Sequence, residues 1–193
     1  MLRLSFVLAL LSSAAGACPG GDALEHGIRF EIAGGETETF RRHGPNVVAA
    51  TYAIAGGPVR QVLLAQGLYM IEVADIQDGA LVPPSRTTYT FEVEPGRMPR
   101  PVAGAVWETR VTVSEDGDLM VEPQRYSYGA ETQVSFGPCT YVMIPVEIRY
   151  PQAADDTVEF IHYLPELGLS YLARTTWARR EERYDYLGIE ALE

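Results

Sequence analysis

From Gly27 onward the chain is cut into short apolar or β-branched runs by glycine, proline and aspartate, and no run carries the 3.6-residue period of a helix. Residues 28–32 alternate apolar and polar, and Gly34-Gly35 turns them into residues 37–43. Gly44-Pro45-Asn46 breaks the chain before residues 47–54, and Gly56-Gly57-Pro58 before 59–65. Gln66-Gly67 then leads into 68–75. Turn signals at this spacing, with strand-length runs between them, predict an all-β meander.

The second half keeps the rhythm. Residues 77–86, holding Asp78-Gly79 and Pro83-Pro84, form a longer loop, and 87–94 are strand material stopped by Pro95-Gly96. Residues 97–101, with two prolines and two arginines, make the best linker in the chain. Strands over 106–115 and 119–128 meet at Asp116-Gly117, a typical hairpin turn. Strands over 131–136 and 139–150 follow, and Pro145 inside the latter implies an edge or a bulge, since proline donates no ladder hydrogen bond. Residues 157–163 and 169–177 flank Pro165-Glu166-Leu167-Gly168, where Pro165 presets φ and Gly168 accepts a positive one. Residues 179–183 read as a charged, solvated tip, and 184–192 as a last strand with Gly188 at a bulge. The expected fold is all-β, an antiparallel meander of about 10–13 strands forming a half-barrel, barrel or sandwich. An offset of about seventy residues sets Tyr69–Val73 against Tyr141–Val146, so 28–96 and 102–193 are candidate pseudo-repeat halves of one domain.

Residues 1–17 read as an export signal: Arg3, an apolar stretch over 4–11 too short to span a bilayer, and Ala15-Gly16-Ala17 as a cleavage site. The expected product, residues 18–193, is a single exported domain of the periplasm. Cys18 would be its first residue, and two readings compete for it. It can pair with Cys139, the only other cysteine, or be acylated and anchor the chain to a membrane.

The chain has 26 acidic residues against 15 basic ones, giving a formal charge of −11. That balance argues against nucleic acid or an anionic membrane surface as partner. All the basic residues are arginine. His26, His43 and His162 have no histidine or cysteine at metal-ligand spacing, so neither a metal nor a cofactor is expected. Ser170 lacks the flanking glycines of a nucleophile elbow, and no catalytic residue is assigned. Tyrosines cluster late in the chain. An aromatic-lined groove would use Tyr141, Met143, Tyr163 and Tyr171 as its ligand or partner face, with Pro165 and Gly168 as structural turn residues.

The run Tyr163-Leu164-Pro165-Glu166-Leu167-Gly168-Leu169 and the strand rhythm before it resemble uncharacterised exported bacterial envelope proteins with an incomplete-barrel fold. These are distantly similar to periplasmic lipoprotein carriers and lipid-binding half-barrels. The resemblance implies a binding or scaffold role in the envelope, for an apolar small molecule or another envelope protein. The alternative is an enzyme whose site is assembled from distant loops, with His162 and Glu166 or another carboxylate meeting an arginine.

Overall fold

The computed structural model describes residues 18–193; the export signal read at 1–17 lies outside them. The first half runs β1 (Ile28–Ile32), β2 (Glu36–Gly44), β3 (Val47–Ala53), β4 (Val59–Ala65), β5 (Tyr69–Gln77), the two-residue β6 (Ala80–Leu81) and β7 (Thr87–Phe91). The second runs β8 (Val106–Glu115), β9 (Asp118–Tyr128), β10 (Thr132–Phe136), β11 (Cys139–Arg149), β12 (Val158–Leu164), β13 (Leu169–Trp177), β14 (Arg180–Arg183) and β15 (Tyr186–Ala191). All fifteen belong to one antiparallel sheet, ordered β14-β13-β12-β11-β9-β8-β7-β5-β4-β3-β2-β1-β15, with β10 on β11 and β6 on β5. The chain is an all-β meander, and its sheet is not closed.

Its edges nevertheless come together at one corner. β14 ends one side of the sheet and β15 the other, yet only Tyr184 and Asp185 separate them. The Tyr184 N–H donates to Ala173 O of β13 (3.0 Å), and Asp185 O accepts from the Ala33 N–H just past β1 (2.9 Å). Two successive residues thus serve opposite edges, which requires the sheet to curl strongly, as twist accumulated over many strands allows.

Bulges supply much of that curl. Tyr128 faces Val146 and Thr132 faces Met143, so residues 129–131 oppose only 144–145, and β9 and β10 act as one bent strand along β11. Pro145 sits opposite this irregularity, where a missing N–H costs least, and its carbonyl accepts from Gly129 (2.7 Å). The charged segment expected at 179–183 does expose its side chains, but its backbone extends the sheet as β14, from Arg180↔Trp177 to Arg183↔Arg174. Gly188 lies beside a register shift, with Glu31 facing Gly188 and Ile32 facing Tyr186.

Two hydrophobic cores form on the curled sheet. One gathers around Phe30, whose ring meets Phe40, Phe136 and Tyr186 edge-to-face at 5.5, 5.0 and 5.6 Å. The other gathers around Tyr69, edge-to-face with Trp107 and Tyr126 at 4.9 and 5.0 Å. Each such pair contributes about 0.5–1.5 kcal/mol beyond burial. Met98, in the segment that reads as a linker, is buried in the second core, and Tyr69 Oη donates to Pro99 O (2.5 Å).

The lead-in before β1 is also built into the fold. Cys18 is disulfide-bonded to Cys139, with Cα atoms 5.5 Å apart. A 3₁₀ turn at Gly21–Glu25 lays Leu24 into the first core, and Tyr141 Oη donates to Pro19 O (2.9 Å).

Candidate functional site

In a β-strand, residues two apart share a face. On the concave face of this sheet, that rule brings polar and aromatic side chains together around a cavity. β2 contributes Glu38; β3 Ala50 and Tyr52; β4 Val62 and Leu64. From the second half come Gln124 and Tyr126 of β9, Ile148 and Tyr150 of β11, and Glu159 and Ile161 of β12. Tyr184 and Tyr186 close it at the corner where the sheet edges meet. β13 presents Ser170, Tyr171 and Leu172 in succession, close to the register shift that carries Phe160↔Arg174 to Ile161↔Leu172. The cavity holds about 340 Å³ and lies between the two cores, sharing Leu64 and Tyr171 with one and Leu68, Tyr126 and Ile148 with the other.

Seven tyrosines line it, and three of them, Tyr126, Tyr150 and Tyr186, donate their hydroxyls to acceptors in its wall. Tyr186 Oη donates to Glu38 Oε2 (2.6 Å), and Tyr150 Oη to Glu159 Oε2 (2.8 Å). Tyr126 Oη donates to Gln124 Oε1 (2.6 Å), and the Gln124 amide donates on to Glu122 (2.7 Å). Tyr52 donates to Glu36. Among the described residues no buried side-chain polar atom lacks a partner.

Two carboxyl groups are out of place for their type. Burial lifts Glu38 to about 7, offset in part by the Tyr186 hydrogen bond. Burial also raises Glu159; the Tyr150 bond lowers it, and the charge of Glu122 raises it further. Neither has an ion-pair partner among the described residues. Among the described residues Arg60 is the one cation in the wall; its guanidinium is exposed and bonded to Asp75 (3.0 Å).

The residues expected to form a ligand face separate. Tyr171 lines the cavity. Tyr141 and Met143 are buried in the first core and Tyr163 in the second. Pro165 and Gly168 make the β12–β13 turn, Gly168 at φ +67°. The tip of that turn meets the β4–β5 turn: Ser170 Oγ donates to Gly67 O (2.8 Å), so the serine is committed to structure. Glu166 is exposed and accepts from the Val142 N–H (3.3 Å). His162 Nδ1 bonds Tyr171 Oη (2.8 Å), and burial pushes its pKa down. A second recess of about 700 Å³ puts His162 beside Arg174 and Asp185, but the Arg174 guanidinium stacks on Phe160 at 3.7 Å and binds Glu181. Among the described residues no group of three His, Cys, Asp or Glu could hold a metal ion.

Glu38 and Glu159 were missed by the sequence reading, although a signal existed. Glu38 stands two residues before Phe40 and Glu159 two before Ile161, so each carboxyl shares the face of an apolar neighbour.

No protein-family model, curated protein or solved structure matches this chain.

Proposed function

We propose that the chain is an exported periplasmic binding protein that carries a small, largely apolar molecule in the cavity of its curled sheet. The cavity itself carries this reading: about 340 Å³, within the roughly 300–1,000 Å³ of small-molecule sites, walled by apolar side chains and tyrosine rings with few polar groups. The disulfide supports an oxidising compartment. The acid–tyrosine pairs suit the role too, because each gives a wall hydroxyl its acceptor and leaves a guest free to bury apolar surface.

A second reading, contact with another envelope protein, is favoured by one patch. Leu119, Met120 and Val121 lie consecutively near the start of β9 and are 74%, 60% and 58% exposed.

Native mass spectrometry of protein purified from its own envelope fraction tests both. The expected result is a chain two hydrogens lighter than its reduced mass, carrying a small molecule that leaves on denaturation. A stable heteromeric mass would favour the second reading. Bare chain that also takes up no apolar probe would remove the first.

A further inference from the structure

The cavity is unusual for a purely apolar site in the charge character of its wall. Glu38 and Glu159 each use one oxygen to accept from a tyrosine hydroxyl, and a carboxylate has about four acceptor positions. Both line the cavity, and neither is neutralised by an arginine among the described residues. Around Glu38 stand Tyr52 of β3, Tyr171 of β13, and Tyr184 and Tyr186 at the closing corner. Tyr126 and Tyr150 stand around Glu159.

Aromatic faces carry negative potential and attract cations within about 6 Å of the ring centre. More acidic groups act on the same tyrosines. Glu36 and Glu182 act on Tyr52 and Tyr184, and Glu122 acts on Tyr126 and on Glu159 itself. The charged and titratable groups around Glu38 are therefore tyrosines and further carboxylates, with His162 behind Tyr171 and Arg60, bound to Asp75, on β4. Arg60, the cation in the wall, is held by Asp75, so the charge left uncompensated is negative, and a low-dielectric recess of that kind focuses its field and concentrates counter-charged ligands.

We propose that the molecule held in this cavity is a small organic cation, an amine or quaternary ammonium with a short apolar body, caged by tyrosine rings and neutralised by Glu38 and Glu159. The inference rests on the binding reading above and narrows it. It also excludes fatty acids and other anions as preferred guests, because their carboxylate would meet two half-buried acids and, among the described residues, no cation in the wall that is not already ion-paired.

The test is calorimetric titration of the oxidised protein with three probes of similar length: hexyltrimethylammonium, 1-octanol and octanoate. The ammonium should bind about tenfold or more tighter than octanol, with octanoate weakest. Its affinity should also rise between about pH 5.5 and pH 8.5, as ionisation of Glu38 supplies the counter-charge, while that of octanol stays flat. Glu38→Gln should abolish the preference for the ammonium over octanol. The wild-type comparison of probes and pH carries the test even if that variant folds poorly. Octanol or octanoate binding as tightly as the ammonium, an ammonium affinity that ignores pH, or a folded Glu38→Gln that keeps the preference would each overturn the cation. Octanol binding alone would leave the apolar-ligand reading standing. Failure of all three probes would end both.

Discussion

At Glu38, one side chain couples the site to the stability of the fold. Its carboxyl ionises near 4.5 in an unfolded chain and near 7 in the cavity wall. Between those values the folded chain binds more protons than the unfolded one, so stability is full below about pH 4.5 and is lost as pH rises through about 7. A shift of this size corresponds to on the order of 3 kcal/mol at most. Glu159 pulls in the same direction, whereas His162, lowered by burial, costs stability on the acid side. Comparing wild type with Glu38→Gln cancels both. In urea denaturation the variant should match wild type near pH 4.5 and exceed it by about 2–3 kcal/mol at pH 8. Parallel pH profiles would show that Glu38 ionises freely in the folded chain. The excess at pH 8 measures what it costs the fold to hold an ionised acid at this position.

At the scale of elements, two hairpins lock the halves of the chain together. β4 and β12 have seven residues each and β5 and β13 nine, and each hairpin carries a register shift, at Leu63/Leu64 and at Phe160/Ile161. Their turns meet head on. A Cβ at Gly67, where φ is +67°, would lie 2.0 Å from Gly168 O, and the three nearest atoms, Gly168 O, Gly168 C and Leu169 Cα, are all backbone. Gly67→Ala should therefore cost about 3 kcal/mol or more, combining strain at positive φ with separation of the turns. Ser170→Ala, which loses only the bond to Gly67 O, should cost about 1–3 kcal/mol. Thermal unfolding of both variants checks the order, and a Gly67→Ala as stable as wild type would mean that the turns do not pack. The individual strands were legible because alternation and turn chemistry are local: residues 28–32, 59–65, 106–115 and 169–177 read from sequence coincide with β1, β4, β8 and β13. The meeting of Gly67 with Gly168 joins positions 101 residues apart, and no local pattern encodes that. The offset of about seventy residues sets β5 against β11, whereas the ladders bring out the likeness of β4–β5 to β12–β13. The site was obscured for the same reason. Tyr141, Met143 and Tyr163 sit on strands that alternate well, but which face becomes concave is decided by bulges and by the closing corner at Tyr184 and Asp185.

For the whole molecule, the longest-range constraint is the covalent one. The bridge from Cys18 to Cys139 spans 121 residues and therefore encloses β1 to β10 in one loop. In the unfolded chain a closed loop of that length removes conformational freedom worth about 3–5 kcal/mol. In the folded chain it holds a segment with little secondary structure of its own. That segment contributes Leu24 to the first core, and the Pro19 carbonyl as acceptor for Tyr141. Gly21 lies so close to the β12–β13 turn that a Cβ there would come 2.8 Å from Glu166 O. The staple thus joins the start of the domain to β11 and, through the turn, to the hairpin that meets Gly67. Replacing both cysteines by serine should lower the urea midpoint by an amount equivalent to about 3–5 kcal/mol, and reductant should do the same to the unaltered protein. Hydrogen exchange should place the first losses of protection in residues 19–27, ahead of the β8–β9 ladder, whose ten residue pairs do not depend on the bridge. A midpoint unmoved by reduction would show that the lead-in is held by its packing alone. A fall of the expected size would make the fold's stability depend on the redox state of its surroundings, a dependence that suits an exported protein and would handicap one kept among cytosolic thiols.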